Sequence, residues 1–150
     1  MRGLGVSVTT LLLAGLGWAA FGDKPYPIFT PPNFASTMQL LGPNFAAVNA
    51  ALAKNDFENA KAHLVRSREL LAITVTFWRD RKKDDAIKIL RDTLTKMDAL
   101  DNALSSEHID PDAATAIAKQ VGAGCQSCHT LYREQDPGTK GYRFKKGSGL

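Results

Sequence analysis

Near the C-terminal end of this 150-residue chain stands Cys125-Gln126-Ser127-Cys128-His129, which holds both cysteines of the sequence. Residues three and four apart on a helix share a face, so Cys125, Cys128 and His129 fall together. That spacing is the attachment signal of a c-type haem. The two sulfurs bond the vinyl groups of a porphyrin, and the imidazole reaches the iron from the same side. Other chemistries suit these residues less well. A redox dithiol expects a βαβ setting, whereas the surroundings read as helix. Zinc needs about four ligands, and adjacent Cys128 and His129 are badly placed to serve one tetrahedral site. A disulfide across this short loop would stabilise little.

Length and charge narrow the remaining classes. The chain is sized for one domain with a single core. Its net charge of +4 is modest, and no basic stripe interleaved with aromatics points to nucleic acid. Residues 1–22 read as an export signal: Met1-Arg2, an apolar run from Leu4 to Phe21, and small residues Ala20 and Gly22 around a cleavage point before Asp23. The alternative is an uncleaved membrane anchor, because that run of about eighteen residues is near the minimum for spanning a bilayer. Either way the expected location is periplasmic, which agrees with covalent haem.

The elements that must position the motif follow in order. Residues 23–32, with Pro25, Pro27, Pro31 and Pro32, read as an extended spacer. A first helix is expected from Asn33 to about Ala53, with Phe34, Met38, Leu41, Phe45, Val48 and Leu52 as its apolar stripe. Gly42-Pro43 should cost it a hydrogen bond and kink it. From Pro25 to Ala53 there is no Asp, Glu, Lys, Arg or His, so its outer face suggests cover by another subunit. A second helix starts at Asn55-Asp56 and continues to Trp78. The charged run Arg79 to Asp85 reads as a solvated turn. A third helix carries Ala86, Leu90, Leu94, Met97, Leu100 and Leu104. A fourth begins at Asp110-Pro111-Asp112, passes Ala113, Ile117 and Val121, holds the motif, and ends before Asp136-Pro137-Gly138. No strand pattern is evident. The fold class is therefore all-α: an antiparallel four-helix bundle over residues 33–136 with the haem on its last helix. Residues 137–150, basic through Lys140, Arg143, Lys145 and Lys146, read as a disordered tail or a docking element for an acidic partner.

This layout resembles the cytochrome c prime family, the class II c-type cytochromes. The likeness is carried by Val121-Gly122-Ala123-Gly124-Cys125-Gln126-Ser127-Cys128-His129-Thr130-Leu131-Tyr132-Arg133, including the aromatic-Arg pair after the histidine. Met38-Gln39-Leu40-Leu41-Gly42-Pro43-Asn44-Phe45 is similar to the family's first helix, and residues 55–71 to its second. The resemblance implies one covalent haem c on Cys125 and Cys128, His129 as proximal iron ligand, and Arg133 beside that histidine or the haem edge. It also implies a homodimer through the first helix. Two departures stand out. Phe34 occupies the place of the family's propionate-facing arginine, and the chain runs on past the usual end.

The sixth iron ligand decides the function. The resemblance puts Met38 at the distal position, where a thioether favours ferrous iron and raises the potential. The plain reading of Met38 is core filler. Met97 reads as core, and His63 and His108 are rival ligands that suit solvent better. A catalytic haem needs a distal acid–base group, and the first helix supplies none. The expectation is thus a non-enzymatic, mono-haem electron carrier between periplasmic redox partners. The alternatives are a five-coordinate protein binding nitric oxide or carbon monoxide, and an accessory haem subunit of a membrane electron-transfer complex.

Overall fold

The computed structural model describes residues 30–150. The readings of residues 1–22 as signal or anchor, and of Pro25 and Pro27 as spacer, lie outside the described residues.

Helix α1 spans Pro31–Leu52. Its N-cap is Thr30, whose hydroxyl accepts the Asn33 N–H at 3.3 Å. Pro31 and Pro32 are therefore not spacer but first turn. Proline suits that place, because its missing N–H would have no helical partner there and its φ is already helical. Pro43 lies inside α1 without ending it. It leaves the Gln39 carbonyl without its helical donor, and the Asn44 side chain donates to the next carbonyl, Leu40 O, at 2.8 Å.

Helix α2 covers Phe57–Ala72, capped by the Asp56 carboxylate on the Asn59 N–H. The single second helix expected from the sequence is in fact divided: a turn at Ile73-Thr74 precedes a short helix α3, Val75–Asp80. Ile73, Thr74, Val75 and Thr76 are all β-branched and stiff in a helix. The Thr74 hydroxyl donates to Leu71 O at 2.7 Å and that of Thr76 to Ile73 O at 3.1 Å, competing with the main-chain ladder for its carbonyls. The break reorients the chain so that Phe77 and Trp78 are buried.

Helix α4 spans Asp84–Leu104 and α5 spans Pro111–Tyr132, the latter capped by Asp110 on the N–H groups of Asp112 and Ala113. Cross-contacts run in opposite directions. On α2 and α4, Lys61 meets Ser105 while Arg68 meets Asp98. On α4 and α5, Thr93 lies against Gly124 while Asp85 meets Tyr132. The four long helices form an antiparallel bundle with α3 as an extra corner. On α5 the buried face is Ala114, Ala118 and Val121, continuing to Gly124 and Tyr132. Small residues pack closest to the neighbouring helix, and Ile117 is only partly covered.

The last helix ends earlier than expected, and the tail is folded. Strand β1, Arg133–Gln135, pairs antiparallel with β2, Tyr142–Phe144, in the register Arg133–Phe144 to Gln135–Tyr142. Asp136-Pro137-Gly138 makes the connecting turn, in which the Asp136 carboxylate accepts the N–H groups of Gly138 and Thr139, both at 2.9 Å. Those bonds hold its carboxyl below the ordinary value. The reading of residues 137–150 as disordered is corrected: Phe144 joins Phe34, Phe77 and Trp78 in an aromatic cluster, its ring 5.5 Å from that of Phe77 and nearly parallel to it.

Two buried clusters fill the bundle. One, at the α1–α2 and α4–α5 loop end, includes Val48, Leu64, Met97, Leu100 and Val121. The other gathers Phe34, Phe77, Trp78, Leu90 and Tyr132. No helix among the described residues is long and apolar enough to cross a membrane.

Candidate functional site

A cavity of about 850 Å3 opens between the helices on the side of the aromatic cluster, within the size range of small-molecule and cofactor sites. Cys125, Cys128 and His129 line it from α5, and Met38 lines it from α1. Turn-by-turn spacing on α5 brings the first three to one wall, as their numbering requires. Met38 is partly buried against the aromatic cluster. Leu90 and Thr93 of α4 and Trp78 of α3 complete the interior.

The wall between α4 and α5 is set by Gly124. A methyl group there would be forced into the Thr93 hydroxyl and come within 3.2 Å of the Thr93 Cβ and Cγ2. Thr93 itself is buried and donates to Ile89 O at 2.7 Å. Glycine immediately before Cys125 thus lets the motif helix lie close against α4.

Electrostatics distinguish these thiols from reactive ones. Burial pushes the Cys125 thiol up, and burial, then the neighbouring Cys125 and Asp85, push Cys128 up to about 11. Catalytic redox thiols carry lowered values, whereas burial moves both of these the other way. Burial first, and then the charge of Arg133, lower His129. Its ring is accordingly neutral near pH 7, the form that donates to a metal.

Arg133 does not continue the helix. It is the C-cap of α5, in extended conformation, with its N–H donated to His129 O. Its guanidinium lies over the Tyr142 ring, 4.0 Å from the centroid, and it lines the cavity from the hairpin side. Beside it Arg143 also lines the cavity, held by Glu134 at 2.8 Å and Asp136 at 2.6 Å. The other residues weighed as ligands are elsewhere. His63 and His108 do not line the cavity; His63 Nδ1 lies 3.4 Å from Asn44 Oδ1, and His108 is exposed. Met97 is fully buried in the other cluster.

Compared with known protein families, curated proteins and solved structures, the chain matches none of them. The site must be read from its own residues.

Several of those were not foreseen. Tyr132 is buried on the cavity wall, and its hydroxyl donates to Asp85 Oδ1 at 2.5 Å. Burial and that carboxylate raise the phenol, while the same bond holds Asp85 below its ordinary value. Tyr132 stands four residues after Cys128, so helical spacing alone placed it on the motif's face. The hairpin also had a signal: Tyr142-Arg143-Phe144 after Asp136-Pro137-Gly138 is a short alternation following a turn.

The residues present fit a covalently held haem. Two thiols, an imidazole and a thioether border one largely apolar cavity, and among the described residues fixed cations stand only at its hairpin edge.

Proposed function

We propose that this chain is an exported mono-haem c-type cytochrome of the cytochrome c prime kind, passing single electrons between periplasmic partners. The observation that carries this reading is the convergence of Cys125, Cys128, His129 and Met38 on one cavity. When bound, the haem supplies a one-electron Fe(III)/Fe(II) couple. Cys125 and Cys128 would anchor it through two thioether bonds. His129 would hold the iron through its ring nitrogen, and Met38 would do so through its sulfur from α1. Held by protein side chains in both redox states, such a group would rearrange little on electron transfer.

Electron transfer is favoured over catalysis because α1 offers the cavity only uncharged side chains, none fit for distal acid–base work. The exposed face of α1, with Ser36, Gln39, Leu40 and Ala46, carries no charge and is the surface we assign to a homodimer. Exposed Lys140 and Lys146 suit an acidic redox partner.

Absorption spectra of the ferric and ferrous protein, with and without carbon monoxide, test the proposal. A low-spin spectrum with a methionine–iron charge-transfer band, lost in Met38→Ala, is expected. A high-spin spectrum that shifts readily with carbon monoxide would reduce Met38 to packing and make the protein a gas binder. Absence of covalent haem would end the reading.

A further inference from the structure

The cavity wall is uneven in charge. Among its described lining residues there is no aspartate or glutamate, and the fixed cations there are Arg133 and Arg143. Both belong to the C-terminal hairpin: Arg133 opens β1 and Arg143 is the middle of β2. A haem carries two carboxylates on one edge, and a buried or half-buried carboxylate needs a cation or donors beside it. The first helix cannot supply one, because Phe34 and its neighbours are uncharged.

Resting on the cytochrome reading above, we propose that the C-terminal hairpin is the propionate clamp of this protein, with Arg133 and Arg143 as its positioning residues. The hairpin is built to hold them. Phe144 fastens β2 into the aromatic cluster beneath the cavity, 5.4 Å from the Phe34 ring. The Lys145 N–H donates to Tyr132 O at 2.9 Å and its ammonium to Thr130 O at 2.6 Å, tying β2 to the end of the motif helix. Glu134 and Asp136 do not line the cavity; they grip the Nε and Nη1 of Arg143 from outside it. A guanidinium has further N–H donors beyond those two, in a rigid plane suited to carboxylates. Arg133 is steadied in turn by its stacking on Tyr142, an aromatic ring left two-thirds exposed at the rim. The segment that continues past the motif helix thereby does what the first helix does not.

The test uses the haem-loaded full chain and the variants Arg133→Gln, Arg143→Gln, their double, and Arg143→Lys, with Lys146→Gln as an exposed control off the cavity. Resonance Raman of the propionate bending modes reads hydrogen bonding at that edge directly, and redox titration reads its charge. Removing a nearby cation favours the more positive oxidised iron. The double variant is expected to shift the propionate modes and to lower the reduction constant by about tenfold, about 59 mV for one electron. Arg143→Lys should retain most of the potential, and Lys146→Gln should change neither readout. Circular dichroism identifies any variant that loses its fold, and Arg143→Lys then carries the comparison through its Raman shift. Unchanged propionate modes in both single variants, or an equal change in Lys146→Gln, would overturn the clamp while leaving the cytochrome intact. Wild-type protein without covalent haem in a pyridine haemochrome assay would overturn both.

Discussion

Gly124→Ala is the sharpest probe of how the motif helix is seated. Its added carbon would be driven into the Thr93 hydroxyl and lie 3.2 Å from two further Thr93 atoms. Thr93 cannot swing aside freely, being 2 % exposed with its hydroxyl committed to Ile89 O. Either that hydrogen bond breaks or α4 and α5 separate. Overpacking of this kind costs about 1–3 kcal/mol, offset by roughly 0.5–1 kcal/mol gained when a mid-helix glycine becomes alanine. A net loss of about 1–2 kcal/mol is expected. Gly122, two residues earlier on the same helix, has nothing within 4 Å of its would-be Cβ, so Gly122→Ala should keep the whole gain. The two variants should differ by about 2 kcal/mol, or roughly 4–8 °C in melting temperature for a domain of this size. Thermal melts followed by circular dichroism measure it. Thr93→Ala in the Gly124→Ala background should recover stability, with a coupling of about 1 kcal/mol. Equal stability of the two glycine variants would refute the close approach of α4 and α5 and with it the described shape of the cavity wall.

Tyr132→Phe removes the hydrogen bond to Asp85 and should cost about 1 kcal/mol in denaturant unfolding. The cost depends on pH in a defined way. Asp85 is held below its ordinary value in the fold, so its contribution exists above that value and fades as pH falls through the folded one. Tyr132 is raised above its ordinary value, so its contribution is whole below about pH 10 and fades as pH rises beyond. The difference between wild type and variant should therefore be widest from about pH 5 to pH 9; a flat difference down to pH 2 would contradict the pairing. Phe144→Ala should destabilise by about 2 kcal/mol, less than for a fully buried ring, and should speed tryptic cleavage at Arg143 and Lys145, whereas no change would mean the hairpin is not docked. Ala35→Asp puts a negative charge on the exposed rim of the α1 wall; under the cytochrome reading it should stabilise the oxidised state, seen as a lower midpoint potential.

Long-period apolar patterns were readable in the sequence; local competitions were not. The stripes through Leu41, Val48 and Leu64, and through Leu90, Met97 and Leu104, made the bundle legible because burial along a helix repeats every three to four residues. The cavity's thiols and imidazole were legible for the same reason. What escaped was decided by atoms that composition does not reveal. The break after Ala72 falls in the β-branched run Ile73 to Thr76, where the Thr74 and Thr76 hydroxyls donate to Leu71 O and Ile73 O. Pro31 and Pro32 looked like spacer until Thr30 was seen to cap them. The tail looked disordered because its lysines and glycines dominate its composition, yet one residue, Phe144, supplies enough aromatic contact to dock it.

The chemistry of the cavity wall has a direction. Carbon side chains of α1, α3 and α4 make most of its interior, one thioether faces it from α1, and two guanidinium groups stand at its edge. Under the cytochrome reading each of these favours the reduced state. An apolar wall penalises the extra positive charge of oxidised iron, a thioether binds ferrous iron preferentially, and arginines repel the added charge. No carboxylate lines the described wall to oppose them; the nearby Asp85 and Glu134 are engaged with Tyr132 and Arg143 from outside it. A site so biased suits the accepting of electrons from a weak donor better than the activation of a bound molecule, for which ferrous iron must give electrons away and a proton must be at hand. The absence of charge on α1, which first suggested a covered subunit face, has a second consequence at its inner face: among the described residues it leaves the hairpin as the cavity's source of fixed charge, and under the cytochrome reading the potential is the property on which that charge acts.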